Sequence, residues 1–232
     1  MTSIVVLNSQ AHRDLRVQAA ASAQLGDNER FVQVAVSEFA ALVAHYPILF
    51  AKNSDTGAFF VGAMLGFNPG ENLFLGAGDK GQDSYRPLNL RRQPFFVSGT
   101  DLAIDLDSPR VGRGEALFDG NGEPTCYLQS IVAILGELRP GLEMTKLFIE
   151  TLLAHKLIEP ITVDLGFDDG SRLKLIDLYT IDRNALKDLP DATVLDLFRR
   201  GYLYLIYLMI ASLKQIPVLA QKKNRRLHES AG

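Results

Sequence analysis

The triplet His12-Arg13-Asp14, inside "LNSQAHRDLRV" at Leu7–Val17, is the first place where residue types and spacing could do chemistry. His-Arg-Asp is the catalytic-loop signature of protein kinases, and His-x-Asp is also part of the two-His, one-carboxylate set that holds non-haem iron. The kinase reading needs an Asn five residues after the Asp and a glycine-rich lobe upstream. Position 19 is Ala and only eleven residues precede His12, which excludes it. The iron reading needs a second His; His45 stands beside a proline turn, His155 in helical sequence and His228 in the tail. The best set on offer is His12, Asp14 and His45, set against an ordinary turn in which His12 or Asp14 caps backbone groups. The turn is preferred and no cofactor is expected.

Other motifs lose their context on inspection. "GAGDKG" places glycines at Gly76, Gly78 and Gly81, but Pro87 interrupts the helix a dinucleotide site would need. "DGNGEP" offers oxygens from Asp119, Asn121 and Glu123, yet a calcium loop needs Gly where Pro124 stands. Cys126, the single cysteine, lies in apolar helical sequence and reads as a small buried hydrophobe. No Ser occupies a Gly-x-Ser-x-Gly elbow.

The most unusual segment is "SYRPLNLRRQPFFVS". It mixes Tyr85, Arg86, Arg91 and Arg92 with Phe95 and Phe96 between Pro87 and Pro94. Guanidinium forks pair with carboxylate or phosphate and stack on rings, so Tyr85, Arg86, Arg91, Arg92 and Phe95 are the candidate anion- or peptide-binding residues. The competing reading has the rings anchoring the loop and the arginines bonding carbonyls or acids such as Asp101 and Asp105.

The elements that must position these residues follow from periodicity. Arg30–Val36 alternates as a strand, with Ser37 the expected cap of a helix that must end before Pro47. "ILFAK" and "AFFVGAMLGF" form a hairpin pair across "NSDTG", and Asp101–Asp107 is a strand with one wet face. The second half turns helical: two helices separated by Pro140-Gly141, a β insertion turning at Asp169-Gly170, and a last helical block from about Ala192 to about Ile216, stopping near Pro217, with Asp191 as its cap.

The fold class is therefore α+β, with a β-rich N-terminal half of mixed or antiparallel strands and a helical C-terminal half carrying an inserted β-hairpin. Residues 1–232 read as a single domain, with a lobe boundary at "FDGNGEP" dividing 1–120 from 121–232 as an alternative. The apolar stretch Gly201–Leu213 has thirteen residues, where a membrane span needs about twenty, and reads as a buried core helix. Tyr202, Tyr204 and Tyr207 on it would serve either the core or a homodimer contact. The near-balance of 24 basic against 27 acidic residues gives no field for nucleic acid, and the basic tail "QKKNRRLHES" reads as a solvated helix end. The start has no signal-peptide pattern, so a cytoplasmic location is expected.

Taken in order, "LNSQAHRDLRV", "AHYPILFAK", "GENLFL", "YRPLNLRRQPF", "ALFDGNGEPT", "LIEPITVDL", "DLYTIDRNALKDLPD" and "GYLYLIYLMIASLKQIPVL" resemble the SapC family of bacterial proteins over nearly the whole chain. The family takes its name from a surface-layer gene cluster. The resemblance implies gene neighbours among TonB-dependent receptors, flavin-dependent halogenase-like proteins and cupin-like oxygenases, whose products are candidate protein or peptide partners. It brings no catalytic residues with it. The expected role is a non-enzymatic binding or accessory protein, the alternative being a metal-dependent peptide- or metabolite-modifying enzyme or its partner subunit.

Overall fold

Residues 3–76 and 84–231 are described by a computed structural model. The first half holds β1 (Ile4–Val6), β2 (Arg16–Val17), β3 (Phe31–Gln33), a short helix α1 (Phe39–Leu42), β4 (Ile48–Lys52), β5 (Phe59–Met64), a single helical turn α2 (Leu88–Arg91), β6 (Phe95–Ser98), β7 (Asp101–Asp105) and β8 (Glu115–Ala116). The second half holds α3 (Cys126–Ala154), β9 (Ile158–Gly166), β10 (Arg172–Ile181), α4 (Arg183–Lys187), α5 (Asp191–Arg199), α6 (Tyr202–Ser212) and α7 (Gln215–Ala231). The class is α+β, and every named strand pairing is antiparallel.

Among the described residues the strands form three sheets: β1-β7-β6, β3-β5-β4-β10-β9 and the small β2-β8 pair. The five-stranded sheet takes strands from both halves of the chain, because β10 pairs with β4 through Leu178–Ala51 and Tyr179–Phe50. The largest apolar cluster crosses the same line, joining Val32, Phe39, Ile48 and Val61 to Phe148, Leu152, Ile206 and Met209. Segments on both sides of the "FDGNGEP" loop therefore share this sheet and this cluster.

Helix α3 connects the layers. Pro140 was expected to split it, yet one 29-residue helix runs through that position. At 1.5 Å per residue it is about 44 Å long. Its first half packs Leu128, Ile131, Leu135 and Leu138 against Phe95 and Ile104 of the three-stranded sheet, and its second half packs Phe148, Ile149 and Leu152 on the five-stranded one. Burial along both halves outweighs the hydrogen bond that Pro140 cannot donate. Gly141 is needed beside it: a Cβ there would lie 2.8 Å from Ala35 Cβ. Thr145 on the next turn accepts from Val36 N at 2.9 Å and locks the contact.

Several boundaries differ from the expected ones. Strand β3 is three residues long, and Ser37 sits exposed inside a 3-10 turn over Val36–Glu38. The carboxylate of Glu38, not Ser37, receives the free N–H of Ala35 at 2.9 Å. Pro217 lies in the first turn of α7, as its third residue, and does not end the preceding block, since N–H groups of a helix's first turn have no intrahelical partner. Asp191 is the first residue of α5, where Pro190 holds the cap position. Cys126 is exposed at the start of α3, because the periodicity that buries Leu128 and Ile131 turns position 126 outward.

Helix α6 buries only one face, through Tyr202, Ile206, Met209 and Ser212; Tyr204 and Tyr207 are exposed. Ser212 Oγ accepts from Ile48 N at 2.9 Å and donates to Met209 O at 2.6 Å, tying the helix to β4. Because α7 follows after a two-residue turn, Tyr202–Glu229 forms a 28-residue helical stretch with an 18-residue window of mean hydropathy 1.7. By length and composition it is long and apolar enough to cross a membrane. The basic tail is also not simply solvated. Lys223 pairs with Glu71, Arg226 Nη2 donates to Leu75 O, and Lys222 lies 4.9 Å over the Phe74 ring. These contacts clamp α7 onto the chain after β5.

Candidate functional site

Each of the three candidate residue groups has a definite place. In the N-terminal turn, Asn8 Oδ1 accepts from the N–H of Gln10 and Ala11, while Asn8 N donates to His12 Nδ1 at 2.9 Å. The capping residue is thus Asn8, with His12 closing the turn from the other side. Arg13 donates to Gly120 O, joining the turn to the loop before α3. His45 lies edge-on to Tyr46, between α1 and β4. Among the described residues no group of three His, Cys, Asp or Glu side chains is placed to hold a metal, so His12, Asp14 and His45 make no such site. Gly78 and Gly81 of the glycine motif lie outside the described residues.

The arginine segment is drawn into the fold through two buried carboxylates. Asp27 is fully buried behind the turn that Gly26 makes at φ +88°. Its Oδ1 receives Arg86 Nη2 at 2.8 Å and its Oδ2 receives Arg110 Nη2 at 2.5 Å and Ser22 N at 2.8 Å. Arg110 continues to the carbonyls of Gln18 and Ala20, and Arg86 to those of Ala19 and Leu90. One carboxylate and two guanidiniums thereby pin the 18–27 loop, with the guanidiniums bonding the carbonyls of Gln18, Ala19 and Ala20.

Glu38 is the second. Its Oε1 accepts from Leu88 N at 2.7 Å and from Tyr85 Oη at 3.2 Å, opposite the Ala35 bond at Oε2. Burial raises its pKa, and three donors offset only part of that. Burial and the neighbouring Glu38 charge together hold the Tyr85 hydroxyl protonated far above the usual phenol range. Tyr46 Oη donates to Tyr85 O at 2.8 Å. Tyr85 and Arg86 are thus occupied by protein partners, and Phe95 is wholly buried, in edge contact with Tyr127.

Arg91 is exposed, and Arg92 borders open space. Arg92 Nε donates to Asn89 Oδ1 at 2.8 Å, Nη1 donates to Phe95 O at 2.7 Å, and the guanidinium lies 4.7 Å over the Phe96 ring. Burial pulls its pKa below the ordinary arginine value, and Nη2 has no partner among the described residues. It lines a groove of about 610 Å³ between β6 and α3. The apolar floor is Leu135, Leu138, Leu142, Phe96 and Val97, and the polar rim includes Arg139 and Glu143. The groove can take an extended apolar group and hold an anion at its rim.

A family model described as SapC matches residues 7–219. The chain belongs to the SapC family. No curated protein and no solved structure matches it. The SapC match runs from the N-terminal turn to Leu219 on α7, and so takes in Asp27, Glu38, Arg110 and the whole β6–α3 groove. Sequence reasoning had singled out none of the three charged residues. Glu38 stands three residues after Ala35, the spacing of a carboxylate that reaches back to a turn's first N–H, which is a usable local signal. Asp27 and Arg110 are 83 positions apart and carry none.

Proposed function

We propose that this SapC-family chain is a non-enzymatic binding or accessory protein of a bacterial surface-layer or TonB-dependent uptake system, and that it takes a carboxylate-bearing peptide in the β6–α3 groove. The observation that carries the binding role is the groove itself. It is open, floored by leucines on α3, and bordered by Arg92 from the segment richest in arginine and aromatic residues. The link to surface-layer and uptake systems rests on the gene neighbourhoods that the family implies. The same neighbourhoods make halogenase-like and oxygenase proteins the other partner candidates.

The test uses fluorescein-labelled twelve-residue peptides tiled across the proteins encoded beside the gene, titrated with purified protein by fluorescence polarisation. Saturable binding is expected for a subset. It should weaken in Arg139→Glu and Leu142→Ala, which alter the rim and floor without touching the Asp27 or Glu38 networks. Absence of saturable binding, or binding unchanged in both variants, would overturn the proposal. Turnover of a peptide or metabolite, abolished by one substitution, would overturn its non-enzymatic part.

A further inference from the structure

We infer that β6 is a docking edge, to which an extended peptide adds as a fourth strand of the β1-β7-β6 sheet, its carboxylate set against Arg92 and Arg139. The inference rests on the binding role proposed above and supplies its mode.

The register of the β6–β7 hairpin decides which main-chain groups of β6 are available. Ser98 pairs with Asp101 across a two-residue turn, and Phe96 with Ala103. Asp105 N donates to Pro94 O at 3.1 Å, so positions 94, 96 and 98 point their N–H and C=O toward β7. On the far side of β7, Leu7 N donates to Leu102 O and Leu106 N to Ser3 O, which confirms the alternation. Phe95 and Val97 therefore face away from the sheet. Phe95 is satisfied by Arg92, whose carbonyl accepts its N–H at 2.8 Å and whose Nη1 donates to its carbonyl at 2.7 Å.

Val97 is left with both main-chain groups unpartnered among the described residues, at the outer edge of the sheet and on the wall of the groove. An N–H and a C=O on one edge residue are what an added antiparallel strand pairs with, closing two hydrogen bonds at once. Edge strands are commonly blunted by charge, proline or cover, and "FFVS" carries none of these at Val97.

The occupant's chemistry follows from the walls. A peptide extended along β6 points alternate side chains at Leu135, Leu138 and Leu142, which calls for apolar residues at every second position. The rim sets two guanidiniums, Arg92 and Arg139, against the single carboxylate of Glu143. Arg139 and Glu143 pair only loosely, at 3.9 Å with both side chains exposed, and Arg92, held through Nε and Nη1, keeps Nη2 without a partner among the described residues. The excess positive charge selects a peptide carrying a carboxylate, from an acidic side chain or the chain end.

The discriminating variant is Val97→Pro. It deletes the outward N–H and leaves the 96 and 98 bonds to β7 intact, a position where an edge strand tolerates proline. Val97→Ala, which keeps the N–H, is the control. The probe is the tightest of the tiled fluorescein peptides, together with versions carrying one backbone N-methyl group at each position in turn. Val97→Pro is expected to bind at least about fivefold more weakly than Val97→Ala, and N-methylation to weaken binding most at the single peptide residue that pairs with Val97, since the outward groups of Phe95 are already taken by Arg92. Equal affinity of the two variants, with no single sensitive position in the methyl scan, would overturn strand addition while leaving groove binding standing. Failure of every tiled peptide to bind would overturn both. Should Val97→Pro unfold, as read by circular dichroism, the methyl scan on wild-type protein decides alone.

Discussion

Asp27 and Arg110 meet in an ion pair closed to solvent, with Oδ2 2.5 Å from Nη2 and each side chain 1% exposed. Arg86 shares the same carboxylate from a more open position, its side chain 24% exposed. Removing the acid would strand two guanidiniums. Asp27→Asn is therefore expected to destabilise the protein by about 3–5 kcal/mol, measured by urea denaturation. Arg110→Met should cost more than Arg86→Met, because only Arg110 is wholly enclosed.

Glu38 gives a pH signature. Its pKa is raised by burial, so the stability it contributes is fully present below the ordinary carboxylate value of 4.5 and is lost as pH rises through the folded value. In Glu38→Gln nothing titrates there, and an amide N–H faces Ala35 N–H if the other oxygen keeps Leu88. The variant is expected to be less stable by about 1–3 kcal/mol. The gap between wild type and variant should narrow as pH rises from about 4.5 toward neutrality. A gap that widens over that range would contradict the assignment.

Glu71 titrates in the opposite sense. Burial alone would raise its pKa, but the Lys223 ammonium and the N–H of Phe67 and Asn68 bring it below 4.5. Its contribution is present above that value and lost as pH falls through the lowered one. Glu71→Gln should therefore flatten the acid limb of the stability curve. Lys223→Ala should release the end of α7, read as faster proteolysis after Lys222 and Arg225 at neutral pH.

Helix α3 yields a pair of predictions of opposite sign. Pro140→Ala restores a backbone donor on an exposed face and is expected to stabilise by about 1–3 kcal/mol. Gly141→Ala drives a Cβ into Ala35 Cβ and Ser37 Oγ, at 2.8 and 3.0 Å, and should destabilise by about 1–3 kcal/mol. Thermal melts of the two single variants distinguish this packing from a simple helix-propensity effect, under which both would stabilise.

Local pattern carried much of the architecture. "ILFAK" matches β4 residue for residue, the Asp169-Gly170 turn sits between β9 and β10, and alternation located β7. These succeed because strand alternation and turn chemistry are settled within a few residues. Pro140 misled because its penalty is local while its compensation is not: the leucines of α3 gain more by packing on two sheets than the lost hydrogen bond costs. Pro217 misled for a related reason, since a proline ends one helix or begins the next according to the turn before it.

The site divides along the same line. Sequence by itself determined the α+β class, the family, and the concentration of guanidinium and aromatic groups between Ser84 and Ser98. Only the tertiary structure decided which of those groups are occupied. Arg86 and Tyr85 are held by Asp27 and Glu38, 59 and 47 positions away, and Phe95 is sealed against α3, while Arg92, bonded through Nε and Nη1, lines the open groove with Val97. An arginine's freedom depends on whether a buried carboxylate lies within reach of its fork. The edge of a strand depends on which neighbour pairs with it. Both are long-range properties, set when distant segments pack and not by the residues alongside.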